Sequence, residues 1–443
     1  MQLAAELQAT LSMPICGGVS ALTEDLPDRL IKEALASTQS ESQRRRALPS
    51  EMVIWLVIGM SLLRERCIRA VVGHLKLTVG GARTVSSSAI VQARDRLGEE
   101  PIAALFDCTA KQWGLASADE HRYRGLAVFG ADGSCLRVQD SAENEAYFGR
   151  PKAAKGRGQS GYPQVRIVGL MALRSHLLFG AAIGPYTTGE QTLAKQLWPL
   201  LPDKSLVIVD RGFIDYSLFA DIMQSGQHHH FLCRAKKNLK WKVLREFGRG
   251  DSLVQIELPR TARKTRPELP EAIVVRVIQY QRKGFRPQML LTSLIDCALY
   301  PADEIAELYH ERWEIELGYD EIKTHTLERE ETLRSKSPER VRQELWGLFI
   351  AYNLVRRQIE KFAHANAIHP LRVSFRAALL LVRNTCVCAA SGIGSVRKLL
   401  DEMNEQMSLL VLPERRERRY ARTVKIKMSK YKRNSKRGSA RLI

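Results

Sequence analysis

Two apolar runs in this chain stop on an aspartate. LAVFGAD ends at Asp132 before Gly133, and SLVIVD ends at Asp210 before Arg211-Gly212. In open α/β sheets functional groups gather at strand ends, so two acids closing two buried strands can stand side by side. Each alone also reads as an ordinary turn or cap aspartate. A third carboxylate comes from YPADEIAELYHERWEIELGYDEIKTH, read as one long helix. At about 100° per residue, Tyr309 lies about +20°, Arg312 about −40° and Lys323 about −20° from Glu316. The four side chains then share a stripe of about 60° running about 21 Å along one face. A carboxylate among Arg, Tyr and Lys suits a metal-ligating acid next to phosphate-binding donors. The alternative is an exposed, salt-bridged face, because Arg312 and Glu316 are an i,i+4 pair. Asp320, at about +40°, shares the face and competes with Glu316, whereas Glu311, Glu314 and Glu321 point elsewhere.

These acids need a sheet and a helix to bring them together, and the chain supplies the pattern. Residues 1 to about 118 read as short helices, with a start signal at Leu48-Pro49-Ser50 in which Ser50 serves as N-cap. The longest apolar run, Met52 to Leu63, is too short to span a bilayer and reads as a buried helix. From about 119 three strand-like segments are followed by helix, strand, helix and strand, an α/β layer with a mixed sheet in ribonuclease-H-like order. The first of these strands ends at Asp132, with Gly133 permitting a turn. Thr187 and Glu190 have capping-box spacing ahead of the first helix in this series. Residues about 236–288 read as a β-rich insertion containing the Pro-broken stretch PRTARKTRPELP and Trp241. The catalytic region is expected to run to 335, a helical region from 336 to 412, and a basic tail from 413 to 443.

The charge is +20, from 68 Lys/Arg and 48 Asp/Glu, which points to a polyanion as partner. Residues 413–443 hold 13 Lys/Arg against 2 Glu, so +11 of that total lies in the tail. The eight cysteines have no CxxC pair and no zinc spacing. With no basic n-region at the N-terminus, they read as reduced thiols of a cytoplasmic protein without a membrane span. His228-His229-His230 reads as a loop or strand entry, since successive strand residues alternate faces and cannot share one metal easily.

The spacing Tyr309-x2-Arg312-x3-Glu316-x6-Lys323 resembles the Tyr-Arg-Glu-Lys signature of bacterial insertion-sequence DDE transposases, in the insertion-element-four family. The wider match is RWxIExxYxxIK, residues 312–323. DGSCLRVQDSAEN with Tyr147-Phe148-Gly149 resembles the family's first catalytic block, and VDRGF the second. SGYPQVR, TTGEQTLAKQL, RRRALPSEMVIWLVIGMSLL and PERRERRYARTVKIKMSKY are similar to family segments in the same order.

The resemblance implies a ribonuclease-H-like catalytic core with a β insertion, a helical N-terminal DNA-binding domain, C-terminal helices and a basic end. It makes Asp132, Asp210 and Glu316 the metal-binding triad, with Asp140 outside it. Tyr309, Arg312 and Lys323 would hold phosphates at the element's end. Trp241 is a candidate for stacking on a displaced base, with a core tryptophan as the alternative. The implied cofactor is Mg²⁺, as two ions about 3.5–4 Å apart, with Mn²⁺ substituting. The implied partners are double-stranded DNA, at element ends and target, and a second copy of the chain in a synaptic homodimer. The implied reaction is cut-and-paste transposition through hairpin ends, in a cytoplasmic, nucleoid-associated enzyme. A nuclease that cuts without joining, and a non-catalytic DNA-binding derivative, are the competing readings.

Overall fold

The computed structural model describes residues 19–42, 47–79, 85–151, 161–213, 215–236, 239–282, 286–329 and 332–414. Of the basic tail expected from 413 onward, all but Pro413 and Glu414 lies outside these residues. Five helices come first: α1 (Asp28–Ser37), α2 (Ser50–Leu62), α3 (Ile68–His74), α4 (Ser87–Leu97) and α5 (Glu100–Glu120). Then follow β1 (Ala127–Arg137), α6 (Ala142–Phe148), β2 (Gln164–Ala172), β3 (Leu178–Pro185), α7 (Glu190–Ala194), β4 (Ser205–Val209), α8 (Tyr216–Gln224) and β5 (His229–Arg234). The insertion holds β6 (Lys242–Gly248), β7 (Asp251–Glu257), α9 (Arg260–Thr265) and β8 (Ala272–Tyr280), and β9 (Gln288–Thr292) closes it. Last come α10 (Ala302–His310), α11 (Trp313–Asp320), a π-helical turn (Glu321–Thr326), α12 (Pro338–Ala365), α13 (Phe375–Ser391) and α14 (Val396–Ser408).

All nine strands form one sheet in the order β3-β2-β1-β4-β5-β9-β8-β7-β6. β1, β4 and β5 run parallel, and every other neighbouring pair is antiparallel. The first five positions are the ribonuclease-H-like layer. The insertion continues the same sheet, because β9 pairs with both β5 and β8. The stretch read as a Pro-broken connection carries the short helix α9.

Alternation along β1 sends Val128 to one core and Ala127, Phe129 and Ala131 to the other. The first core takes in α2, α5 and α12, and the second lies under α8 and the insertion. Every residue of α2 from Met52 to Leu62 is buried, as expected of a helix that is apolar all round. No helix among the described residues is long and apolar enough to cross a membrane.

Four local expectations need correction. Ser50 is the first residue of α2 and does not cap it: its Oγ donates to the Ser40 carbonyl at 2.7 Å. Thr187 and Glu190 make no capping box, since the N-cap of α7 is Gly189 and has no side chain to offer. β1 does not stop at Asp132, because β2 pairs with it from Phe129 to Arg137 and keeps it extended. The long helix is divided: i→i−3 bonds such as Arg312 N–H to Tyr309 O (3.2 Å) and Glu314 N–H to Glu311 O (2.9 Å) overwind it between α10 and α11. The π turn then widens it after Asp320.

Candidate active site

β4 pairs with β1 only from Ala127↔Ser205 to Ala131↔Val209. The next residue on each strand is an aspartate, Asp132 and Asp210, so the register sets the two acids side by side where the parallel pairing ends. Asp132 Oδ1 accepts the Gly133 N–H at 2.8 Å, and Asp210 Oδ1 accepts the Gly212 N–H at 2.6 Å. A side chain at Gly212 would put its Cβ 2.8 Å from that Oδ1, so the turn closes only around glycine. Gly133 makes no turn; its missing Cβ leaves room for the Glu190 carboxylate, with which any side chain there would collide. Burial, with Asp210 and Glu190 adding to it, pushes the Asp132 carboxyl up to about 6 against the opposing pull of the Gly133 N–H and Arg312.

The helical stripe faces these acids. Arg312 pairs with Glu316 at 2.8 Å, stacks over the Trp313 ring at 5.1 Å, and lies within electrostatic reach of Asp132. Lys323, on the π turn, donates to Ser134 Oγ at 3.4 Å, two residues along β1 from Asp132. Tyr309 is buried, which pushes its hydroxyl up to about 12. Asp320 accepts the Thr324 hydroxyl at 2.5 Å, and Asp140 is held by Arg150. Trp241 is partly buried against the core under the insertion.

Several neighbours that the sequence does not single out as site residues complete the surroundings. Glu190 reaches back to Arg166 at 2.6 Å while facing Asp132. The Tyr319 hydroxyl donates to the Asp132 carbonyl at 2.7 Å and accepts the Gly169 N–H at 2.8 Å, which straps α11 to β1 and β2. Its place in RWxIExxYxxIK was the one hint of this strap. Trp313 is 50% exposed and offers a flat face next to Arg312. Behind the stripe, Glu321 bonds Tyr352 at 2.9 Å and Arg356 Nε at 3.0 Å, with His176 alongside at 3.3 Å. Glu314 meets His176 Nε2 at 2.9 Å, and Glu311 is held by Arg174 at 2.8 Å.

Among the described residues no three His, Cys, Asp or Glu side chains are grouped to hold a metal ion. Asp132 and Asp210 are adjacent, while Glu316 is turned to Arg312. The donor set nevertheless fits a hard divalent cation. Oδ2 of Asp132 and Oδ2 of Asp210 take no hydrogen bond among the described residues, and a cation would offset the burial and the neighbouring carboxylates that raise Asp132.

A 3-2-1-4-5 sheet with two acids where the pairing of two parallel strands ends, faced by a glutamate-bearing helix, is the framework of DDE polynucleotidyl transferases. Comparison with known proteins narrows the class. Residues 17–107 match the family described as insertion element 4 transposase N-terminal, and residues 124–354 match the transposase DDE domain. The chain is 37% identical over 417 residues to the transposase InsG for insertion sequence element IS4 of Escherichia coli (strain K12), covering 93% of each. It is 32% identical over 273 residues to the putative transposase InsZ of the same organism, covering 61% of this chain and 87% of that one. Among solved structures, a piggyBac transposase synaptic complex with hairpin DNA is a distant likeness, at 11% identity and a TM-score of 0.43, covering 90% and 86%. The chain belongs to the insertion element 4 family of DDE transposases.

Proposed function

We propose that this transposase binds the terminal repeats of its insertion sequence, cleaves there, and joins the freed ends to target DNA. Asp132, Asp210 and Glu316 would hold Mg²⁺, as two ions, with Mn²⁺ substituting. Such ions activate a water or a 3′-OH and stabilise the leaving alkoxide. The observation that supports this reading is the register that sets Asp132 beside Asp210 where the parallel pairing ends, with the Asp132 carboxyl pushed up by burial.

The chain's own residues then divide the work. Asp132 and Asp210 are fixed by backbone N–H groups, and Glu316 joins them by leaving Arg312. That exchange frees the Arg312 guanidinium for a phosphate, a planar donor suited to bidentate contact. Lys323 contributes a point charge beside β1, and Tyr309 packs behind Arg312. Trp241 and the more exposed Trp313 are the aromatic faces available to a displaced base. Cut-and-paste movement through hairpin ends, with two copies holding two ends, is the form of the reaction the family resemblance suggests.

The test is cleavage of a plasmid carrying the DNA that flanks the gene. Asp132→Ala, Asp210→Ala and Glu316→Ala should each abolish divalent-dependent cleavage while retaining DNA binding. Asp140→Ala and Asp320→Ala should cleave as wild type. Hairpin products run as single strands of doubled length on denaturing gels. An active Glu316→Ala with an inactive Asp320→Ala would overturn the assignment on the helix.

A further inference from the structure

The π turn Glu321–Thr326 faces three ways. Glu321 points inward to Arg356, Lys323 reaches β1, and Thr324 and His325 line a separate cleft of about 380 Å³. The opposite wall is one face of α13, formed by Arg376, Leu379, Leu380 and Arg383 at helical spacings of three, four and seven. Glu328 and Arg329 close the cleft.

Two independent features mark it. Arg383 is 8% exposed; its Nη1 donates to Glu328 at 2.6 Å, but its Nε and Nη2 are buried without a hydrogen-bond partner. Idle buried donors on a cation are costly, and a ligand oxygen would satisfy them. Glu328 and Arg329 are also consecutive non-glycine residues in the left-handed region, with φ of 55° and 63°, strain of the kind that collects at ligand clamps. Arg329 and Arg376 are exposed and make no ion pair among the described residues. The cleft therefore sets three guanidinium groups against Glu328, with Glu65 also 4.0 Å from Arg383 Nη1, and Glu328 sits on Arg383 where a phosphate oxygen would.

We propose that this cleft binds one backbone phosphate of DNA, on the far side of the π turn from Lys323, through Arg329, Arg376 and Arg383. The half-exposed Leu380 supplies an apolar edge for the sugar. The inference rests on the reading of the chain as a DNA-joining enzyme and adds a contact outside the Tyr309, Arg312 and Lys323 set. One turn would then grip a strand on both sides and tie its path to the position of Glu316.

The experiment is a salt titration of binding to a random-sequence duplex of fixed length, with melting curves to check folding. The paired substitution Arg329→Ala with Arg376→Ala should weaken binding roughly tenfold and lower the salt slope by about 0.9, the share of one phosphate. Glu328→Gln should tighten binding severalfold by freeing Arg383, while Glu405→Gln, on the exposed side of α14, should not. An unchanged slope in the double variant, or a Glu328→Gln that behaves like Glu405→Gln, overturns the site. So does inorganic phosphate that, at matched ionic strength, abolishes the difference between wild type and double variant, since that makes it a free-phosphate site. Wild type that binds no duplex would overturn the DNA-joining reading as well. A slope unchanged only in the double variant sinks this inference alone.

Discussion

Asp132 on β1 and Glu321 on the π turn are both largely withdrawn from water, yet their surroundings treat their charge in opposite ways. Around Asp132 burial is reinforced by Asp210 and Glu190, and the carboxyl is pushed up to about 6. Around Glu321 burial also acts to raise the carboxyl, but Arg356 and His176 outweigh it and hold it down at about 2. The first carboxylate is left wanting a cation; the second already has one. The difference separates a site from a strut. Glu321 ties the π turn to α12 and to the β2–β3 hairpin, and so fixes the segment that presents Glu316 and Lys323. Asp132 retains an unmet charge at the place where that segment faces the sheet.

The largest effect is expected at the strut. Glu321→Gln leaves the buried Arg356 with His176 and the Phe375 ring but without its carboxylate, and should destabilise the fold by about 3–5 kcal/mol, read as a large drop in melting temperature. The sign with pH follows from the depressed value. The contribution of Glu321 is fully present above its unfolded pKa and fades as pH falls toward about 2. The gap between wild type and Glu321→Gln, measured by denaturant melts, should therefore narrow in acid.

A smaller effect of opposite sign is expected at the site. Removing this buried charge with Asp132→Asn should raise the stability of metal-free protein at neutral pH, by up to about 2–3 kcal/mol, while abolishing cleavage. A variant that melts lower than wild type would show that Asp132 is structurally compensated after all. The smallest effect belongs to Tyr319→Phe. Losing its two hydrogen bonds to β1 and β2 should cost about 1–2 kcal/mol and slow cleavage modestly, with stability and rate both assayed.

The parts of this arrangement carried by regular chemistry are legible in the sequence. Apolar β runs ending in Asp132 and Asp210, and the fixed spacing from Tyr309 to Lys323, need only local periodicity to be read. The pairing β1–β4 then brings the two aspartates together without further information. What escapes is set by distant partners. The extension of β1 beyond Asp132 depends on β2, the role of Glu190 on Arg166, and the strut on Arg356, 35 residues from Glu321. The division of the long helix likewise follows tertiary contacts, such as Arg174 gripping Glu311 at the overwound junction, and helical periodicity alone does not register them.

The central question is whether Asp132, Asp210 and Glu316 together bind the divalent cation. Calorimetric titration of Mg²⁺ and of Mn²⁺ into the DNA-bound protein addresses this most directly, using wild type, the three alanine variants, Asp320→Ala and Glu190→Gln. Wild type should bind the cation, the three alanine variants should each lose at least about tenfold in affinity, and Asp320→Ala should match wild type. A Glu316→Ala variant that binds like wild type, while Glu190→Gln or Asp320→Ala loses the cation, would contradict binding by the three together.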